Sequence, residues 1–123
     1  MSDLLLDVNL QQMPDAYLAG DWRVASRVLN RTDPGSTLAQ ASRLVLADEQ
    51  RQMQVQTPEP AQNATGSWAV LRDGLLNRPY LALTLLADET RALVTRLRRS
   101  PDGQRSLLNL YFASGMEMLL EIP

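Results

Sequence analysis

Arg51-Gln-Met-Gln-Val-Gln-Thr57 is the stretch on which the fold turns. Met53, Val55 and Thr57 alternate with Gln52, Gln54 and Gln56. A period of two buries one face of a strand and leaves the other wet. Wound as a helix, the same residues would ring the cylinder with glutamine. Just upstream, Ser42-Arg-Leu-Val-Leu46 is also strand-like, and Ala47-Asp48-Glu49-Gln50 reads as the hairpin turn between them.

The alternation spreads outward from there. Trp22, Val24, Ser26 and Val28 share one face of 21–29, and Thr32-Asp33-Pro34-Gly35-Ser36 supplies turn chemistry. Trp68 and Val70 alternate with their neighbours. Leu81, Leu83 and Leu85 follow, then Leu93, Thr95 and Leu97. Beyond the turn at Pro101-Asp102-Gly103 come Leu108, Leu110 and Phe112. After Gly115 come Met116, Met118, Leu120 and Ile122. Eight strands are predicted, at 21–29, 37–46, 51–57, 67–72, 80–86, 91–98, 106–113 and 116–122. Residues 58–66 and 73–79 are read as loops. Successive short strands joined by tight turns predict an all-β, up-and-down antiparallel barrel, whose closure removes exposed edges. Residues 3–13, with Asp3 as cap and Pro14 beyond the end, predict a short N-terminal helix.

A helical reading competes. Leu occurs 23 times against seven Val and one Ile, which leans toward helix. Its strongest ground is 82–99, where Leu86, Leu93 and Leu97 fall near one helical face.

The 123 residues suffice for one domain and one modest core. The formal net charge is −2, which gives no basic field for nucleic acid. His and Cys are absent, and all twelve basic residues are Arg. Disulfides, thiol and Ser-His-Asp nucleophiles, zinc fingers, P-loop lysines and Schiff bases are therefore excluded. No cofactor is expected. The N-terminal apolar run, Leu4-Leu5-Leu6, is too short for a signal peptide, and no stretch reaches a membrane span. The expectation is a cytoplasmic protein, with the Asn30-Arg31-Thr32 and Asn63-Ala64-Thr65 glycosylation patterns read as chance.

Leu18-Ala-Gly20-Asp-Trp22 and Gly66-Ser67-Trp68 resemble the Gly-x-Trp signature of the lipocalin (calycin) superfamily. The resemblance covers about residues 15–122. It implies a barrel that holds a small apolar molecule, with an Arg from a late strand (Arg96, Arg98 or Arg99) over the first Trp. Tyr111-Phe112-Ala113-Ser114 followed by Met116-Glu117-Met118 is faintly similar to the last hairpin of phycobiliprotein (bilin) lyases, and Trp22 with Ser26-Arg27 to their first strand.

The expected interior set is Trp22, Val24, Ser26, Met53, Val55, Trp68, Val70, Leu83, Thr95, Leu110, Phe112, Met116 and Met118. In a barrel of this size these residues are core and pocket wall at once. Phe112 is read as inward and Tyr111 as outward. Arg27 and Arg72 are candidates for a ligand carboxylate. Asp48-Glu49 and Asp88-Glu89 are read as solvated turn residues, with no metal-binding spacing. Outward apolar residues (Leu29, Val45, Leu86, Val94 and Leu119) would make a homodimer interface if gathered on adjacent strands. Three functions follow. The first is a binding protein for a small apolar or amphipathic molecule. The second is a non-catalytic protein-binding factor. The third is a cyclase or isomerase acting by shape, with Glu117 or Tyr111 for acid–base work.

Overall fold

A computed structural model describes residues 4–28, 37–58, 61–85 and 88–123. The barrel strands are β2 (Gly20–Val28), β3 (Arg43–Leu46), β4 (Gln52–Pro58), β5 (Ala61–Arg72), β6 (Pro79–Leu85), β7 (Asp88–Arg99), β8 (Ser106–Phe112) and β9 (Glu117–Ile122). Each pairs antiparallel with the next, and β9 returns to β2. The result is a closed, eight-stranded, up-and-down barrel. The helical alternative for 82–99 gives way to β6 and β7. A ninth strand, β1 (Leu6–Asp7), adds to the end of β7 at Arg99 and Arg98.

Three stretches differ from the sequence reading. Residues 37–40 form a short helix, α1 (Thr37–Gln40), and β3 begins only at Arg43. Thr-Leu-Ala-Gln contains good helix formers, and Leu38 and Ala39 are buried as a plug rather than alternating. The predicted helix at 3–13 is replaced over its described part by β1 and a 3-10 turn at Leu10–Gln12, capped by the Asn9 side chain. A second 3-10 turn spans Asp15–Leu18. The loop expected at 58–66 is mostly strand, because β5 extends back to Ala61 and pairs with β4 as far as Pro58. The turn at 32–36 and residues Leu29 and Leu86 lie outside the described residues.

Two β-bulges decide which side chains enter the barrel. In β2, Val24 faces Leu120 and Ser26 faces Leu119, so Ala25 is an extra residue. In β7, Val94 faces Leu110 and Arg96 faces Asn109, so Thr95 is extra. An added residue reverses the face of everything beyond it. Ser26 and Val28 therefore point outward, and Arg27 turns inward and is half-buried. Thr95 is exposed, its hydroxyl donating to the Asn109 carbonyl at 3.3 Å, whereas Val94 is buried. Ser26 and Thr95 leave the expected interior set, and Val94 leaves the outward set.

The other interior positions hold. Trp22, Met53, Val55, Trp68, Leu83, Leu110, Phe112, Met116 and Met118 are buried in one packed cluster, and Val24 and Val70 pack against it half-buried. An eight-stranded barrel is just wide enough for its own side chains, and this one is occupied by them. Each large apolar side chain so buried contributes about 1.5–3 kcal/mol before entropy is set against it.

Candidate functional site: the mouth beside α1

The two ends of the barrel are built differently. At the floor lie the starts of β2, β4, β6 and β8, covered by residues 4–19, with Met13 and Leu18 buried. Both indoles stand at this end and are satisfied by backbone. Trp22 Nε1 donates to the Leu18 carbonyl at 2.9 Å, and Trp68 Nε1 to the Ala47 carbonyl at 2.8 Å. Gly20 turns the chain into β2 at φ 152°, a conformation that favours glycine, with the tip of Ile122 2.7 Å from where a Cβ would stand.

Three arginines hold the floor shut. Arg51 lies over the Trp68 ring, 4.5 Å from its centroid, with its guanidinium 3.9 Å from Asp15. Arg99 stacks on Tyr17 at 3.9 Å. Arg72 donates to the carbonyls of Leu10 (3.0 Å), Asn77 (3.0 Å) and Met13 (2.7 Å). Both terminal nitrogens of Arg72, a candidate for a ligand carboxylate, are thus engaged by backbone carbonyls at the floor. The arginine expected over the first Trp is instead a pair: Arg51 covers the second Trp, and Arg99 covers a tyrosine.

The mouth is the opposite end, where β7 begins and β8 turns into β9. Here Leu38, Ala39 and Ala41 of the α1 segment are buried against the barrel. Arg27, turned inward by the β2 bulge, donates to the Ala39 carbonyl and ties α1 down. Burial pushes its guanidinium below the ordinary arginine value. Arg27, a candidate for a ligand carboxylate, thus engages one terminal nitrogen with backbone.

Beside α1 opens a concavity of about 270 Å³, lined by Leu38, Glu89, Thr90, Arg91, Phe112, Ala113, Ser114 and Met116. Its floor is apolar, because Phe112, Met116 and Leu38 belong to the barrel core. Its rim is polar, with Arg91 Nε paired to Glu89 at 3.1 Å, both exposed. Phe112 and Met116 were legible as site residues from alternation. Leu38, Thr90 and Ser114 carried no such signal, since only the closed barrel brings 38, 90 and 114 together.

A larger concavity opens away from the mouth. It holds about 430 Å³, lies on the outer wall of β3–β5 and is lined by Val45, Ala47, Gln52, Met53, Gln54, Thr65 and Gly66. None of those side chains is ionisable. The groups considered for acid–base work, Glu117 and Tyr111, are exposed on the outer wall, away from the interior. Tyr111 is outward and Phe112 inward, as the alternation requires. Glu49 and Asp48 are solvated, as read, whereas Glu89 sits in a strand and not in a turn. Among the described residues no three Asp or Glu side chains gather to hold a metal, and no helix is long and apolar enough to cross a membrane.

The fold and this mouth define a class: a small closed antiparallel barrel compatible with a lipocalin-like binding protein. No family model, curated protein or solved structure matches the chain.

Proposed function

We propose that the protein is a lipocalin-like binding protein that seats a small amphipathic molecule at the mouth beside α1. One observation carries this reading. The floor of the concavity is the apolar barrel core itself, at Phe112, Met116 and Leu38, while its rim presents Glu89, Arg91 and Ser114. An apolar floor with a few polar groups at the edge is how sites for small molecules are commonly built. The volume, about 270 Å³, lies just below the usual range of about 300–1,000 Å³ and fits a small ligand or one end of a longer one. The up-and-down closure and the Gly20-x-Trp22 opening of β2 support the lipocalin-like assignment.

Native mass spectrometry of the protein purified from its own host tests this first, with a small bound mass lost on denaturation as the expected result. A fluorescent amphipathic anion, anilinonaphthalene sulfonate, supplies the second measurement. It binds saturably at one site, and Thr90→Trp, which fills the mouth from its rim, abolishes that binding while the circular dichroism spectrum is kept. Binding that ignores Thr90→Trp, or a bare chain together with no saturable binding, overturns the proposal.

A further inference from the structure

Of the three floor arginines, Arg51 lies beside Asp15 and Asp48, and Arg72 is bonded to three carbonyls. Arg99 has neither kind of partner. Among the described residues its guanidinium pairs with no carboxylate and donates to no carbonyl, and its contact is the Tyr17 ring. Its Nε is buried without a hydrogen-bond partner. A half-buried cation left unpaired by its own chain is costly, and calls for a partner from outside.

Arg99 lines an open recess of about 210 Å³ at the outer corner of the floor. One wall is β1, where Leu6 pairs with Arg99. Another is the 100–103 loop: Gly103, at φ 74°, brings it so close that a Cβ there would stand 3.0 Å from Arg99 Nη2. The acceptors at this corner are already used. Asp7, the acid that lines the recess, receives Arg96 through both oxygens at 2.7 and 3.3 Å. Ser100 Oγ donates to Asp102 at 2.5 Å, and Asp102 also accepts from the Gln104 amide at 3.0 Å. Two donors are left over, the terminal nitrogens of Arg99 and the hydroxyl of Tyr17, which makes no hydrogen bond among the described residues.

The corner is also basic, in a chain whose net charge is −2. Arg96, Arg98, Arg99 and Arg105 stand there against Asp7 and Asp102. Arg98 pairs in register with Asp7 but makes no ion pair among the described residues, and its Nε is buried without a partner. The backbone of Arg105 is bonded to that of Ser100. A local excess of two positive charges suits a dianion better than a single carboxylate.

We propose that this corner is an anion site for a phosphate monoester, held by the Arg99 guanidinium and the Tyr17 hydroxyl. A planar guanidinium bonds two phosphate oxygens at once, and the stack on Tyr17 fixes its plane. Leu6, Val8 and Pro101 give the organic substituent of the phosphate an apolar wall. The site lies at the opposite end of the barrel from the mouth and stands or falls independently of it.

Nitrogen-15 NMR of the intact protein titrated with phenyl phosphate tests this, at about pH 7.5, where a phosphate monoester is mostly dianionic. Sodium chloride at matched ionic strength is the control. The expected result is a saturable shift of the Arg99 Nε–H and of the amides at Tyr17 and 99–103, absent with chloride. Arg99→Gln weakens binding by about tenfold or more, the scale of a charge-assisted hydrogen bond. Tyr17→Phe keeps the ring under the guanidinium, removes only the hydroxyl, and weakens binding by roughly three- to tenfold. It decides the matter if Arg99→Gln does not fold. Thr90→Trp, at the mouth, leaves phosphate binding unchanged. Flotation with phosphatidylcholine vesicles containing phosphatidic acid separates the two sources of this chemistry. Flotation that needs Arg99 identifies a lipid headgroup, and phenyl phosphate binding without flotation identifies a soluble phosphate monoester. Shifts that chloride reproduces overturn the inference. So does phosphate binding indifferent to both Tyr17→Phe and Arg99→Gln.

Discussion

A Cβ atom placed on Gly66 would stand 1.9 Å from the carbonyl oxygen of Thr84. That oxygen belongs to the backbone of the neighbouring strand, so the approach cannot be relieved by turning a side chain. β5 and β6 pass this closely two residues before Trp68 turns inward, and only glycine permits it. The two Gly-x-Trp pairs thus use glycine differently: Gly66 for a close backbone approach within a strand, Gly20 for a positive φ of 152° at the start of one.

Gly66→Ala is accordingly expected to cost at least about 3 kcal/mol, in the range of mutations that force backbone strain. Gly74→Ala is the control, because nothing lies within 4 Å of its would-be Cβ. That change should be neutral or stabilising by less than about 1 kcal/mol. Thermal unfolding followed by circular dichroism separates the two. Equal melting temperatures would contradict the close approach.

The Arg51–Trp68 contact should be visible in fluorescence. Arg51→Ala removes the cover from the indole and about 0.5–2 kcal/mol of cation–π attraction. Gln50 and Arg51 both adopt positive φ, 56° and 50°, so the loop holds Arg51 there at a conformational cost. Acrylamide quenching of Trp emission should rise in the variant. Unchanged quenching would mean that Arg51 does not shield the ring.

Arg72→Ala should loosen the floor without opening the barrel wall. Its three carbonyl acceptors, Leu10, Met13 and Asn77, lose a charged donor, at about 1.5–3 kcal/mol for the hydrogen bonds to it. Hydrogen exchange by mass spectrometry should quicken in residues 8–18 more than in β8 and β9. Uniform quickening would instead indicate global destabilisation.

Stability should be flat from about pH 6 to 9 as far as side chains are concerned, because the chain has no His and no Cys. Below that, Asp21, Asp7 and Asp73 matter. Each has its pKa lowered, first by hydrogen bonding from Arg43, Arg96 and Arg78 respectively. A carboxylate lowered on folding contributes stability above its unfolded pKa of about 3.9, and that contribution is lost as pH falls through the folded value. The Asp21 and Asp7 pairs are largely exposed and Asp73 is half-buried, so the loss should be gradual and, for the first two above all, weakened by salt. Urea midpoints between pH 2 and 8 check this. A transition centred near pH 6 would be incompatible with it.

Alternation alone determined a great deal. The glutamine face of 52–56, the inward pair Trp22 and Trp68, and the Phe112-in, Tyr111-out choice all follow from a period of two in a strand with one wet side. So does the count of eight strands, because each apolar stretch ends in Gly, Pro or Asp turn chemistry.

What the tertiary structure decided is where that phase breaks. Nothing in Val24-Ala25-Ser26 or Val94-Thr95-Arg96 marks a bulge, since an extra residue is selected by the register of the partner strand. Yet those two residues turn Arg27 inward to tie α1, put Val94 in the core and Thr95 outside it, and leave Val28 on the outer wall. The N-terminal segment became a plug rather than a helix for a similar reason. Its backbone carbonyls at Leu10 and Met13 bond to an arginine some sixty residues away, and a pairing at that distance belongs to the closed barrel and not to the local sequence.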